Sequence, residues 1–241
     1  MKMTDMLFDY DHILMLSEYR VPDPHAHLAS HIVMGIGGEL HVMADGQDFD
    51  AGAVIIASDL IHTVYMDRGD MLLYLFDTTS DYDRALNEKY LHGEKYAVLD
   101  SEITAGLIEI YEKNGHDLKQ SDSEMLARLG LSRIEGRIDE RITDSLSLLK
   151  EIETIPSDIA EILCKKACLS KSRFCHLFKE QMGISLHRYI ALDKMKKGYI
   201  HYLQDNNITE AAIRAGFDTP SHFASTCKRM FGISFSEFIR S

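Results

Sequence analysis

The sequence predicts an α+β chain with an antiparallel β part first and an all-α part last. Three observations carry this. Residues 30–77 form short apolar and alternating runs split by turn residues. From about residue 101 the apolar period lengthens to that of a helix. Near the carboxy terminus a helical block occurs twice, forty-nine residues apart.

Along the β part, His31–Ile36 is largely apolar, and Leu40, Val42 and Ala44 alternate with more polar positions. Asp45-Gly46 reads as a hairpin turn, because both residues tolerate the positive φ that such turns require. Gly52 breaks the chain before Ala53–Ala57, and Asp67-Arg68-Gly69-Asp70 separates Ile61–Met66 from Met71–Phe76. Hairpins this close together predict a small antiparallel barrel or sandwich. Ahead of them, residues 1–16 carry acidic residues throughout and no clean apolar core, so no signal peptide is expected. The chain has no run of about 18 apolar residues, so no membrane span is expected and the cytoplasm is the expected location.

The helical part begins with Ile103, Leu107, Ile110 and Tyr111. A second stripe, Ile134, Ile138, Ile142, Leu146 and Leu149, is nearly a four-residue ladder with charged residues between its members. Such a stripe needs a covering surface, either the β part or a second copy of the chain, and a homodimer is expected. Pro156 closes this region. Beyond it, Ser157 is placed to cap a helix running through Cys164, and Ser170 one from Lys171 to about Gln181, with Gly183 after its end. A longer helix spans about Leu186–Leu203, Asn206-Asn207 breaks it, Thr209–Ala215 forms a short helix, Gly216 turns, and Thr219–Met230 follows. A short helix, a tight turn and a second helix, performed twice, make two helix-turn-helix units. Two copies are too few for a solenoid, which needs about three.

Charge divides the same way. Residues 1–155 hold 13 Lys/Arg against 30 Asp/Glu, while residues 156–241 hold 13 against 8, a net of +5. A basic terminal segment on an acidic body points to a polyanion at one end only. All four cysteines (Cys164, Cys168, Cys175, Cys227) lie in the basic segment without the paired spacing of a zinc module. Cys164 and Cys168, four apart, read as helix core, and reduced thiols agree with a cytoplasmic setting.

The motifs then match a family. Leu169-Ser170-x-Ser172-Arg173-Phe174-x-His176-Leu177-Phe178-Lys179, with Gly183-Ile184-Ser185 and Tyr189, forms the first unit. Ala215-Gly216-Phe217-Asp218-x-Pro220-Ser221-His222-Phe223, with Lys228, Phe231-Gly232-Ile233-Ser234 and Phe238, forms the second. Residues 157–240 resemble the DNA-binding domain of the AraC family of bacterial transcription regulators. Phe235, Cys227, Lys194, Gly198 and Ala211 depart from its usual Pro, Phe, Arg, Ala and Ile, changes that bear on packing more than on charge. The N-terminal strands resemble, more loosely, the cupin-like sensor barrel of many such regulators. The resemblance implies a cupin-like barrel over 1–100, a helical linker and dimerisation region over 101–155, and a DNA-binding domain over 156–241 with units at about 158–181 and 208–230.

It also implies a sequence-specific, effector-responsive activator that binds double-stranded DNA, contacts RNA polymerase and is not an enzyme. In each unit the second helix would enter the major groove. The exposed positions there are Lys171, Ser172, Arg173, Cys175, His176 and Lys179, then Pro220, Ser221, His222, Ser225 and Lys228. Arg173 and His176 suit base or backbone contact, Lys179 and Lys228 phosphate. Tyr189, Leu192, Met195, Ile200 and Leu203 of the connecting helix would hold the units about one DNA turn apart.

The most specific feature of the β part is His25-x-His27-x3-His31 with His62 later. Cupins place a metal on an H-x-H pair, a carboxylate or amide and a later His; here His31 stands at the third position. His41 falls outside the set, on the next strand. Four imidazoles suit a divalent transition metal such as zinc, nickel, copper or iron(II), or a hydrogen-bonded organic effector, and the residues leave both open. Two other readings of the whole chain remain: a cupin-type metal-dependent enzyme with an accessory DNA-binding tail, and a constitutive DNA binder with a degenerate barrel.

Overall fold

The computed structural model describes residues 6–9, 11–17, 24–78, 80–133, 138–231 and 235. By contact the chain falls into two compact units, Met1–Ser132 with Lys228–Ser241, and Arg133–Cys227.

Among the described residues the first unit holds nine strands. A six-stranded antiparallel sheet runs in the order β1 (Met6–Phe8), β2 (His12–Ser17), β8 (Asp70–Phe76), β3 (Ser30–Ile36), β6 (Ala53–Ile56), β9 (Tyr96–Val98). A second sheet has the order β5 (Gln47–Ala51), β4 (Leu40–Ala44), β7 (His62–Tyr65). The central strands are buried on both faces, which is why they read as apolar runs. Ile32, Met34, Leu72, Tyr74 and Ile55 point to one core. Val33, Met71, Val54 and Ile56 point to another, shared with Leu40, Val42 and Val64 of the small sheet. The predicted antiparallel β part is therefore two sheets packed on a common core. The Asp45-Gly46 turn is as expected: both residues have positive φ, and Ala44 pairs with Gln47 across it.

The first core is closed by helices. Helix α2 (Ser101–Lys113) is capped by Asp100 and supplies Leu107 and Tyr111; α3 (Leu118–Leu129) is capped by Asp117 and supplies Leu118, Met125 and Leu126. A short helix, α1 (Asp81–Leu86), continues into a π-helical turn at Asn87–Leu91. That turn presents Lys89 and Tyr90, both donating at 2.7 Å to the Leu129 carbonyl where α3 ends. The predicted Ile103–Tyr111 stripe thus covers the sheet.

The second unit is helical: α4 (Glu140–Glu151), α5 (Ile159–Lys166), α6 (Lys171–Met182), α7 (Leu186–Asp205), α8 (Ile208–Arg214) and the start of α9 (Pro220–Phe231). Ser170, Ser185, Asn207 and Thr219 each accept a bond from the first turn of the helix they precede. Gly183 (φ +72°) and Asn206 (φ +50°) end α6 and α7 in the left-handed conformation. Gly232, expected to end α9, lies outside the described residues, as do Ile134 and Arg137.

Several expectations are corrected. Helix α5 starts after Asp158, not Ser157, and Asp158 makes no side-chain cap bond. Cys168 is not helix core: it is exposed, at φ +53°, in the turn after α5, whereas Cys164 is buried. Ile138 precedes α4, and the cover for Ile142 and Leu149 comes from this chain. The Asp139 amide donates to Gln181, Lys197 donates to the Leu149 carbonyl, and Arg214 pairs with Glu153 at 2.9 Å. On α7, Tyr189, Leu192 and Met195 are buried as expected, but Ile200 (43%) and Leu203 (42%) are exposed while His201 is buried.

Candidate functional site

Helices α5 and α6 form one helix-turn-helix, α8 and α9 the other, with α7 between them in sequence. Phe174 and Phe178 are wholly buried under α6, and Tyr189 of α7 meets Phe178 edge-on at 5.3 Å. This rotation leaves Lys171, Ser172, Arg173, His176 and Lys179 exposed, with Cys175 half-buried. In the second motif Phe223 is buried against Phe217, and its ring sits over Gly198 of α7, where a Cβ would lie 2.8 Å from it. Ser221, His222, Ser225 and Lys228 are exposed and Pro220 half-buried.

Charge separates the two faces further. Lys194 donates to the Gly216 carbonyl at 2.6 Å, and Arg214 is shared between Asp205 and Glu153. These cations are used in folding. Among the described residues, Lys171, Arg173, Lys179 and Lys228 have no carboxylate partner. His176 and His222 lie 3.8 and 3.5 Å from Glu180 and Asp218, exposed pairs of small energetic weight. Each of α6 and α9 therefore has an exposed face carrying donors and cations free, among the described residues, to meet a polyanion.

In the first unit the four histidines come together. His25 and His62 form an isolated β-bridge, their rings 4.7 Å apart. His31 lies 4.6 Å from His62 and 4.5 Å from His27, ring to ring. The ligand nitrogens of His25, His27 and His62 all lie within 4.8 Å of one another. His41 lies elsewhere, held by Asp50 and Asp67. Burial, then the neighbouring His62 and His25, pushes His27 down to about 3; burial takes His62 down to about 4 and His31 well below the usual imidazole range. All three are neutral at pH 7, the form that binds a metal. The Nδ1 of His62 donates to the Leu60 carbonyl at 2.8 Å, which leaves its Nε2 lone pair available. The Nδ1 atoms of His27 and His31 are buried without a hydrogen-bond partner among the described residues. Such orphaned nitrogens are costly unless something occupies the space between them.

A second buried cluster was not foreseen. His12, wholly buried on β2, bonds Asp11 at 2.8 Å and Asp122 of α3 at 3.0 Å. The Tyr74 hydroxyl also donates to Asp122, at 2.8 Å, and Tyr82 meets the imidazole edge-on. Burial alone would lower the His12 pKa; the two carboxylates outweigh it and raise the value to about 9. The only sequence signal is Asp11-His12 entering an apolar run.

Comparison with known proteins bears on the helical unit. Residues 163–241 match a family model described as a helix-turn-helix domain. The chain is 29% identical over 116 residues to a probable transcriptional regulator, LumQ, of Photobacterium leiognathi, covering 47% of this chain and 41% of that one. It thus spans less than half the length of the curated relative it matches. Among solved structures, an apo ToxT variant of Vibrio cholerae is 11% identical at a TM-score of 0.49, covering 97% of this chain and 98% of that one. The C-terminal domain of AraT, a response regulator from Geobacillus stearothermophilus, is 21% identical at a TM-score of 0.39, covering 44% and 88%. Residues 163–241 are a helix-turn-helix domain. Among the described residues no helix is long and apolar enough to cross a membrane.

Proposed function

We propose that the chain is a sequence-specific, DNA-binding transcription regulator whose N-terminal unit responds to an effector. The observation that carries this is the exposed face of each of α6 and α9: among the described residues Lys171, Arg173, Lys179 and Lys228 are exposed without a carboxylate partner, while Phe174, Phe178 and Phe223 are buried. In this reading residues 156–241 bind DNA, residues 1–100 sense, and residues 101–155 connect them. Helix α7, of 20 residues, is about 30 Å long. That suits two reading helices in successive turns of one major groove, about 34 Å apart. Arg173 and His176 read bases, Ser172, Cys175, Pro220, Ser221, His222 and Ser225 shape the contact, and Lys179 and Lys228 hold phosphates. The protein acts as a homodimer on two half-sites and activates through contact with RNA polymerase.

The histidine cluster is the control site in this account. Its donor set fits a divalent transition metal: three nitrogens within 4.8 Å of one another, and orphaned Nδ1 atoms on His27 and His31. His25, His27 and His62 would hold the ion, with His31 as a fourth donor. A bound ion would stabilise whichever arrangement it prefers.

The experiment is selection of bound fragments from random duplex DNA, with and without zinc, nickel, copper or iron(II). A recovered paired motif whose occupancy changes with metal supports both parts. Loss of stoichiometric metal in a His25→Ala/His27→Ala/His62→Ala variant would confirm the ligands. A protein that takes up no metal at all removes that part and leaves the DNA reading standing.

A further inference from the structure

The small sheet carries a notch that His62, a member of the histidine cluster, helps to line. Asp48, Met43 and Thr63 stand opposite one another across β5, β4 and β7, so their side chains share one face. Ala44 and His62, one residue along, share the other, where Ala44 joins the core. Together with Ile61 and Pro24, and with Ala44 and His62 at its edge, Asp48, Met43 and Thr63 line a cavity of about 220 Å³. Two of its walls are apolar side chains left in water: Ile61 is 66% exposed and Met43 49%. Thr63 is 5% exposed, and its hydroxyl has no hydrogen-bond partner among the described residues. The rim is acidic. Asp45 is partly neutralised by Lys95 at 2.6 Å, whereas Asp48 has no cation partner among the described residues.

Apolar walls, one uncommitted carboxylate and an orphaned hydroxyl define a ligand by complementarity. We propose that this notch binds a small organic cation, a primary alkyl- or arylammonium. Its apolar body would lie between Met43, Ile61 and Pro24, and its ammonium group at Asp48. The acidic balance of residues 1–155 reinforces the choice, since the surrounding field draws cations and repels anions. Strand β7 links this site to the control site: Thr63 and His62 both line the notch, and His62 also belongs to the histidine cluster. A ligand against Thr63 and Ile61 therefore bears on the strand that positions His62. This deepens the regulator reading by naming an effector class, and rests on that reading only for its consequence at DNA.

The test is isothermal titration calorimetry of the full chain with n-hexylammonium, with hexan-1-ol and hexanoate as matched controls. A charge-assisted bond to Asp48 predicts one saturable site for the amine, at least about tenfold tighter than for the alcohol. Hexanoate is expected to be the weakest of the three. Asp48→Asn should lower amine affinity by roughly tenfold and leave the alcohol unchanged, while Ile61→Ser should weaken both. Both positions are exposed, and unfolding temperature checks that each variant is folded. Hexanoate binding as well as the amine, an Asp48→Asn variant that binds the amine normally, or no saturable heat from hexylammonium overturns the proposal. Repeating the titration after chelator treatment separates it from the metal: amine binding is expected to persist, and its loss would also overturn the site. The DNA reading is tested without amine, so either can fail alone.

Discussion

Two sets of buried histidines give the first unit opposite responses to pH. His27 and His62, pushed down to about 3 and 4, are neutral in the folded chain and titrate near 6.5 once unfolded. Between those values the unfolded state binds more protons, so their contribution is present above pH 6.5 and is lost as pH falls toward 4 and 3. His12 runs the other way. Its value is raised to about 9, so the stability from its bonds to Asp11 and Asp122 is complete below pH 6.5 and disappears as pH rises through 9. Denaturant unfolding monitored across pH should show both slopes. His27→Phe should flatten the acid one and His12→Gln the alkaline one; unchanged slopes would contradict the assignments. In the second unit Gly198 is the sensitive position, because a methyl there meets the buried Phe223 ring at 2.8 Å. Gly198→Ala should cost about 1–3 kcal/mol in thermal unfolding, despite its better helix propensity.

At the scale of elements, the helices of the second unit were legible because their ends carry chemistry. Ser170, Gly183, Ser185 and Asn206-Asn207 mark stops and starts that the structure places within about two residues of expectation. Strands β1, β2 and β9 were not legible. His12–Ser17 is a continuous apolar run that could equally be helix, and its partner, β8, lies more than fifty residues away. Helix α3 was missed because polar residues fill its first turns, although Leu118, Met125 and Leu129 keep helical spacing. On α7 the buried face follows Tyr189, Leu192, Met195 and Tyr199, so Ile200 sits about 100° further round and faces water. The histidine set was readable from spacing, but His25 and His27 sit outside the named strands, and only the bridge to His62 closes the cluster. Helix α4 gives a prediction at this scale. It is bonded to the helical unit through Asp139–Gln181 and Lys197–Leu149, so a fragment beginning at residue 138 should unfold several degrees above one beginning at residue 156. Equal melting would contradict that attachment. The Ser170 cap is a second test: Ser170→Ala should cost about 1 kcal/mol and loosen the reading helix that follows it.

Over the whole molecule charge is divided between two segments. An acidic segment holding 30 Asp/Glu carries the histidine cluster and the proposed amine notch, while a segment with 13 Lys/Arg against 8 Asp/Glu carries the two helices proposed to read DNA. Binding should therefore be salt-dependent through a few cations. Replacing Lys179 or Lys228 with Ala should weaken all duplexes alike and lower the salt slope by about one each, whereas Arg173→Ala should relax preference at one base position. The measurement that bears most directly on the account is competition between a selected duplex site and random duplex for the full chain. The account predicts a preference of about a thousandfold or more, reduced chiefly by Arg173→Ala and His176→Ala. Equal affinity for both duplexes, in protein that is folded and tested both with and without added metal, would contradict it.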